Sequence, residues 1–239
     1  MASLEGRVIW VTGATGGVGE SVVATLLEEG ACVIASYRHP EGFEHLLKRV
    51  GAHERLCSAP CDLLDAEAAR QVVVQWASRE GAITGLVHLV GGFASGARIA
   101  EAGHAAFAAM WENNVATLLN ALSAVVPMME AQQFGRIVAI ASAQAFSDNP
   151  GVAPYATAKA TVIDVMRRLA KEEAGRNISA NALVPGAIDT PANHEWIVRN
   201  PPHNLVTPQE IARVVRFLLT EEGGILTGGA LPVRSPSAA

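Results

Sequence analysis

Val8-Ile9-Trp10-Val11-Thr12-Gly13-Ala14-Thr15-Gly16-Gly17-Val18-Gly19 is a short apolar run that breaks directly into a glycine-rich turn. Beyond it Val18, Val22, Val23, Leu26 and Leu27 recur at helical spacing as far as Gly30, where a C-cap is expected. The reading is strand, turn, helix. Glycines let a backbone approach a phosphate closely, and a helix N-terminus offers free N–H groups and the positive end of its dipole. Any tight turn can use glycine; the position between an opening strand and a helix is what points to a dinucleotide. Gly13, Thr15, Gly16, Gly17, Val18 and Gly19 are therefore candidate cofactor contacts.

Outward from this unit, Ala31 to Ser36 reads as a second strand running into Tyr37-Arg38-His39-Pro40. An acidic residue here would hydrogen-bond the adenosine ribose, whereas an arginine accommodates a 2′-phosphate. No Asp or Glu lies between Ala31 and Pro40, and Arg38 offers a charged fork of donors, so NADP(H) is favoured and NAD(H) is the alternative. Glu41 to Val50 reads as a short helix, Arg55 to Cys61 as a third strand and Ala66 to Glu80 as a helix. Asp62 falls at a strand end, where ligands meet a parallel sheet, and is taken with Leu63 as an adenosine contact; an N-cap for the next helix is the competing role of Asp62.

Gly85 to Val90 is an apolar fourth strand leading to Gly91, a further cofactor candidate. A helical pattern spans Gly103 to Gln132, and Asn114 on its apolar stripe must find hydrogen bonds. Gly135 to Ala141 is the fifth strand, with Ser142 at its end. Ala153 to Ala174 reads as helix and Ile178 to Val184 as the sixth strand, followed by Pro185-Gly186. Thr190 to Val206 reads as a flap, Thr207-Pro208-Gln209-Glu210 opens a helix with a capping box, and Ile225 to Val233 closes the sheet before a frayed tail, Arg234 to Ala239. Strand and helix alternate throughout. That predicts an α/β fold: one Rossmann-type domain over residues 1–239, with a single doubly wound parallel sheet and helices on both faces.

Tyr155 and Lys159 are four residues apart on one of these helices, so phenol and ammonium share a face. A unit charge about 4 Å from a phenol, at an effective dielectric near 20, is worth about 4 kcal/mol and lowers its pKa. Such a tyrosine could move protons near neutral pH. The same spacing also arises on plain surface helices, where both side chains merely reach for water.

The 239 residues are half hydrophobic and carry a net charge of −5 without a basic stripe, which argues against nucleic acid. Apolar runs are too short for a membrane span, and Met1 to Gly6 lacks the features of a signal peptide, so a cytoplasmic protein is expected. Cys32, Cys57 and Cys61 show no paired metal spacing, and all three read as small hydrophobes; no metal site is expected.

Thr12, Gly13, Gly17 and Gly19 of the glycine turn, Asp62, Asn114, Ser142, the Tyr155-x-x-x-Lys159 pair, and Pro185-Gly186 with Thr190 resemble, in this order, the short-chain dehydrogenase/reductase family. The likeness covers nearly the whole chain. It implies an oxidoreductase that moves a hydride between NAD(P)(H) and the carbonyl or alcohol group of a small organic substrate. Tyr155 would exchange the proton, Lys159 would lower its pKa and hold the nicotinamide ribose, Ser142 would polarise the carbonyl, and Asn114 would hold a relay water. Pro185, Gly186, Ile188 and Thr190 would sit against the nicotinamide. A homodimer or homotetramer, joined through the helices at Gly103 to Gln132 and Ala153 to Ala174, is also implied.

Two departures stand out. His88-Leu89-Val90-Gly91 replaces the family's Asn-Asn-Ala-Gly, and Arg234-Ser235-Pro236 replaces its Asp-Gly-Gly. His88 could make part of the missing asparagine contacts or be a satisfied core histidine. Val90 to Gly96 and Asp189 to Asn193 are similar to stretches of dihydropteridine reductases, although that branch uses NADH and lacks the serine. A protein that senses NADP(H) without catalysis is the rival class. Substrate walls are expected from Ala94 to Arg98, Ala143 to Pro150 and Pro191 to Leu205, loops that are free to vary.

Overall fold

The computed structural model describes residues 4–199 and 205–235. In chain order the elements are β1 (Val8–Thr12), α1 (Gly17–Glu28), β2 (Cys32–Tyr37), α2 (Pro40–Val50), β3 (Leu56–Pro60), α3 (Ala66–Glu80), β4 (Ile83–His88), α4 (Ile99–Trp111), α5 (Thr117–Gln132), β5 (Gly135–Ile140), α6 (Ala153–Glu172), β6 (Ile178–Pro185), β7 (Ala187–Ile188), α7 (His194–Arg199), β8 (Leu205–Val206), α8 (Pro208–Leu219) and β9 (Ala230–Val233). Seven strands form one sheet in the order β3-β2-β1-β4-β5-β6-β9, every pairing parallel. The order reverses between β1 and β4, which opens a crevice at the strand C-termini.

Both faces of this sheet are covered, which is why the strands read as continuous apolar runs rather than alternations. Trp10 points into the layer under α3, α5 and α6, together with Leu86, Leu118, Val125, Ile137 and Val162. Ile9 and Val11 point the other way, against Val22, Leu26, Ile211 and Val215 of α1 and α8. The buried indole of Trp10 donates to Ser36 Oγ at 2.8 Å, so no polar atom is orphaned there. Each of these large side chains contributes roughly 1.5–3 kcal/mol on burial.

Several expected boundaries change. The stripe from Gly103 to Gln132 is not one helix: it begins at Ile99, breaks at Gly103 (φ 60°), and passes through a π turn at Glu112–Ala116 before α5. An extra residue per turn leaves the apolar stripe nearly intact, so periodicity does not reveal it. The last strand covers only Ala230–Val233, because Glu222–Ile225 is a 3-10 turn. The flap contains a 3-10 turn at Pro191–Asn193, α7, and β8, which pairs with β7 in a separate two-stranded sheet. Its residues 200–204 lie outside the described residues. Ser235 is not frayed: it is buried, and its hydroxyl donates to Glu210 Oε1 at 2.8 Å. Glu210 is also the capping-box residue of α8. Residues 236–239 lie outside the described set.

Candidate active site

Four strand ends converge on a cavity of about 490 Å³ lined by Gly13, Thr15 and Gly16 from the glycine turn after β1, Arg38 after β2, Asp62 and Leu63 after β3, and Gly91 after β4. All seven are expected cofactor residues. Gly13 has φ +70°, and a Cβ there would sit 3.0 Å from the Leu89 carbonyl carbon and the Val90 nitrogen. At Gly19 a Cβ would fall 2.2 Å from the Gly13 carbonyl oxygen, so this glycine lets α1 begin against the turn. Gly16 caps α1 without any side-chain hydrogen bond, which leaves first-turn N–H groups for an anion beside the cavity. Gly17, Val18 and Gly19 shape the turn and the helix start without lining the cavity.

Arg38 is exposed at the cavity rim, with its Nε 3.2 Å from His39 Nε2. Asp62 is not an N-cap. That role belongs to Asp65, whose carboxylate accepts from Glu67 N and Ala68 N, while Asp62 lines the cavity and its Oδ1 accepts from Leu64 N at 3.0 Å.

Asn114 is fully buried in the π turn. Its Nδ2 donates to Met110 O at 2.9 Å and Gly92 O at 3.1 Å, and its Oδ1 accepts from Gly92 N at 3.3 Å. A Cβ on Gly91 would lie 2.6 Å from Asn114 Oδ1 and 2.9 Å from Lys159 Nζ. One missing methyl group therefore brings the β4 loop, the π turn and α6 together. Single π turns recur at functional sites.

A second cavity, about 210 Å³, is lined by Ser142, Tyr155, Pro185, Gly186 and Ile188, with Phe93, Gln144 and Asn193. Ser142 leaves β5 in extended conformation and accepts from Gln144 N at 3.2 Å. Tyr155 enters from the first turn of α6, and the edge of Phe93 packs on it with ring centroids 4.9 Å apart at 86°. Lys159 is buried one turn further on, donates to Ile140 O at 2.9 Å, and has Nζ 5.9 Å from the Tyr155 ring centroid. Thr190 is buried against Gly17, where a Cβ would come within 2.9 Å of its Cγ2; it lines neither cavity.

The electrostatics correct one expectation. Burial raises the Tyr155 phenol above its ordinary pKa, and a hydrogen bond with Ser142 opposes this only in part. The Lys159 charge does not offset this burial as the helical spacing suggests. Instead burial lowers Lys159 itself, to about 8. His88 is a satisfied core histidine: its Nδ1 is 2.9 Å from Thr12 Oγ1 and its Nε2 3.5 Å from Thr117 Oγ1. Thr117 gives its own proton to Asn113 O, so it accepts from Nε2–H and leaves Nδ1 to accept from Thr12. Burial, then the Lys159 charge, holds His88 down to about 3, hence neutral.

Phe93, Gln144 and Asn193 lie outside the motif-based residue set. Gln144 and Asn193 fall within the expected wall stretches, and Phe93 just before one; loop residues carry no periodicity, so only the convergence of the segments picks out these three. Gln144 Oε1 accepts from Ser147 Oγ at 2.6 Å and Asn149 Nδ2 at 3.1 Å, which leaves its amide N–H groups as donors for the cavity.

The sequence matches the short chain dehydrogenase family over residues 7–200. It is 32% identical over 239 residues to a 3-oxoacyl-[acyl-carrier-protein] reductase of Thermotoga maritima, covering 96% of this chain and 97% of the relative. Identity to an acetoacetyl-CoA reductase of Acinetobacter sp. is 30% over 240 residues, covering 96% of each. Among solved structures, a short-chain dehydrogenase/reductase from Burkholderia xenovorans superposes with a TM-score of 0.90 at 29% identity, covering 98% of this chain and 97% of the other. Levodione reductase gives 0.88 at 26% identity, covering 96% of each.

Proposed function

Because the chain belongs to the short-chain dehydrogenase family, we propose that it is an NADP(H)-dependent reductase of a carbonyl group on a small organic substrate, working also in the reverse, alcohol-oxidising direction. The observation that carries this reading is that Ser142 and Tyr155 line one cavity while the Lys159 ammonium lies buried beneath them. NADPH, when bound, supplies the hydride. The residues of the first cavity fit such a group: the uncapped start of α1 and Gly16 suit its phosphates, and Asp62 and Leu63 its adenosine.

Ser142 donates to the substrate carbonyl and polarises it. Tyr155, kept protonated at neutral pH by burial, gives its proton to the same oxygen. Lys159 holds the nicotinamide ribose and places positive charge under the phenol as the proton leaves. Asn114, anchored by Met110 and Gly92, holds a relay water. Arg38 selects the 2′-phosphate. The acyl-thioester relatives and the free amide donors of Gln144 make 3-oxoacyl thioesters the first substrates to try. The dihydropteridine and non-catalytic readings have weaker support, since Arg38, Ser142, Tyr155 and Lys159 are all in place.

A homo-oligomer in the cytoplasm completes the proposal. Phe107, Trp111 and Pro154 form an apolar groove between α4 and α6 that suits self-association, and among the described residues no helix is long and apolar enough to cross a membrane. The test is a fluorescence titration with NADPH and NADH, followed by NADPH consumption with 3-oxoacyl thioesters, diketones and dihydropteridines. Tight NADPH binding with carbonyl turnover agrees with the reading; binding of neither cofactor would remove its basis.

A further inference from the structure

At the end of the sheet opposite both cavities, two cysteines distant in sequence meet a carboxylate. Cys32 begins β2, Cys57 lies near the start of β3, and Glu80 ends α3, the helix over that face. The two Sγ atoms are 3.7 Å apart, Cys32 Sγ is 3.7 Å from Glu80 Oε2, and all three ligand atoms lie within 4.8 Å of one another. We propose that Cys32, Cys57 and Glu80 bind one thiophilic divalent cation of the zinc type.

The spacing suits that ion. With zinc–sulfur bonds of about 2.3 Å at tetrahedral angles, two thiolates stand about 3.8 Å apart, and a thiolate and a carboxylate oxygen about 3.6 Å. A disulfide is disfavoured by the ladder. Val33 pairs with Leu56 and Ile34 with Cys57, so Cys32 and Cys57 are offset by two positions. A strand spacing of about 4.8 Å and a rise of about 3.3 Å per residue put their Cα atoms about 8 Å apart. That exceeds the upper limit of about 6.8 Å for a disulfide, whereas a shared ion spans it.

Access is also suitable. Cys32 is half-buried and Glu80 exposed, so the ion enters from water, while Cys57 is buried among core side chains that fix its position. On binding, both thiols release their protons to solvent, and the cation takes two thiolates, one carboxylate oxygen and a water. The bound ion would tie edge strand β3 to β2 and α3.

Cobalt(II) titration of the full-length protein, reduced and freed of metal, tests this. The expected result is a tetrahedral cobalt spectrum with sulfur charge transfer that saturates at one ion per chain and is displaced by zinc, with two of the three cysteines protected from a thiol reagent. Cys32→Ser and the exposed Glu80→Gln should each weaken binding by at least the roughly 10–100-fold that loss of an outer-shell partner costs, and Cys61→Ser should leave it unchanged. No saturable sulfur-ligated spectrum in the parent protein would overturn the proposal. So would unaltered affinity in Cys32→Ser or Glu80→Gln.

Discussion

Lys159 Nζ is tied to the carbonyl of Ile140 by a 2.9 Å hydrogen bond, so the strand that ends in the candidate serine also anchors the ammonium beneath the tyrosine. Among the described residues no carboxylate pairs with this charge. Its folded pKa near 8 lies below the ordinary 10.5, so burying the ammonium costs about 3 kcal/mol at neutral pH. That cost is full below pH 8 and is relieved as pH rises toward 10.5, where the unfolded chain also becomes neutral. Lys159→Met removes the cost but leaves the Ile140 carbonyl without its donor, a loss of about 1–3 kcal/mol. The variant should melt at or above the parent temperature at pH 7, and the difference should shift toward the parent between pH 8 and 10. Thermal denaturation of both proteins across that range checks it. A pH-independent difference would count against a buried, charged Lys159. Turnover should fall at least about 100-fold.

Tyr155→Phe keeps the ring packed against Phe93 and removes only the hydroxyl. Carbonyl reduction should drop about 10²–10⁴-fold, while the NADPH dissociation constant stays within about threefold. With the phenol raised by burial, parent reduction should hold through neutral pH and decline in alkali, and alcohol oxidation should rise with pH. Retained turnover in the variant would end the assignment of Tyr155 as proton donor.

His88 makes acid stability measurable. The folded imidazole resists protonation down to about pH 3, whereas an unfolded histidine takes a proton near 6.5. The unfolded state binds more protons in this window, so stability falls as pH drops from about 6.5 to 3, by up to about 5 kcal/mol. His88→Asn, which keeps hydrogen-bonding atoms between Thr12 and Thr117, should lose less between pH 7 and 4 in urea denaturation. Parallel losses in the two proteins would rule His88 out as the source.

Arg38→Leu should weaken NADPH binding by roughly 10–100-fold, the equivalent of about 1.5–3 kcal/mol for a charge-assisted hydrogen bond. NADH affinity should change little. If both cofactors weaken equally, Arg38 supports the loop rather than reading a phosphate.

The sheet and most helices were legible because their signals are local. Val8 to Val11 and Ile137 to Ile140 are runs buried on both faces, and α1 carries its stripe from Val22 to Leu27. Short pairings were not legible: β7 and β8 have two residues each and no period to detect. Most residues named by motif line or adjoin the two cavities, whereas Gln144 was named only within the wall stretch Ala143 to Pro150 and Phe93 not as a wall, because their exact place depends on how loops fold over one another. The phenol's raised pKa also escaped, since burial is set by segments far away in sequence and helical spacing speaks only for one neighbour. For the same reason Cys32 and Cys57, unremarkable in sequence, became neighbours only through strand register.

The contact between Gly17 and Thr190 has a practical corollary for anyone redesigning specificity. With the Thr190 methyl 2.9 Å from where a Cβ on Gly17 would be, the base of the flap is seated on the turn proposed to receive the cofactor phosphates. A flap borrowed from another protein could be transplanted only with a residue no bulkier than threonine at its first position. A library that randomises position 190 would lose cofactor affinity before it explored new substrates, so recombination between homologues should place no crossover that separates the two partners.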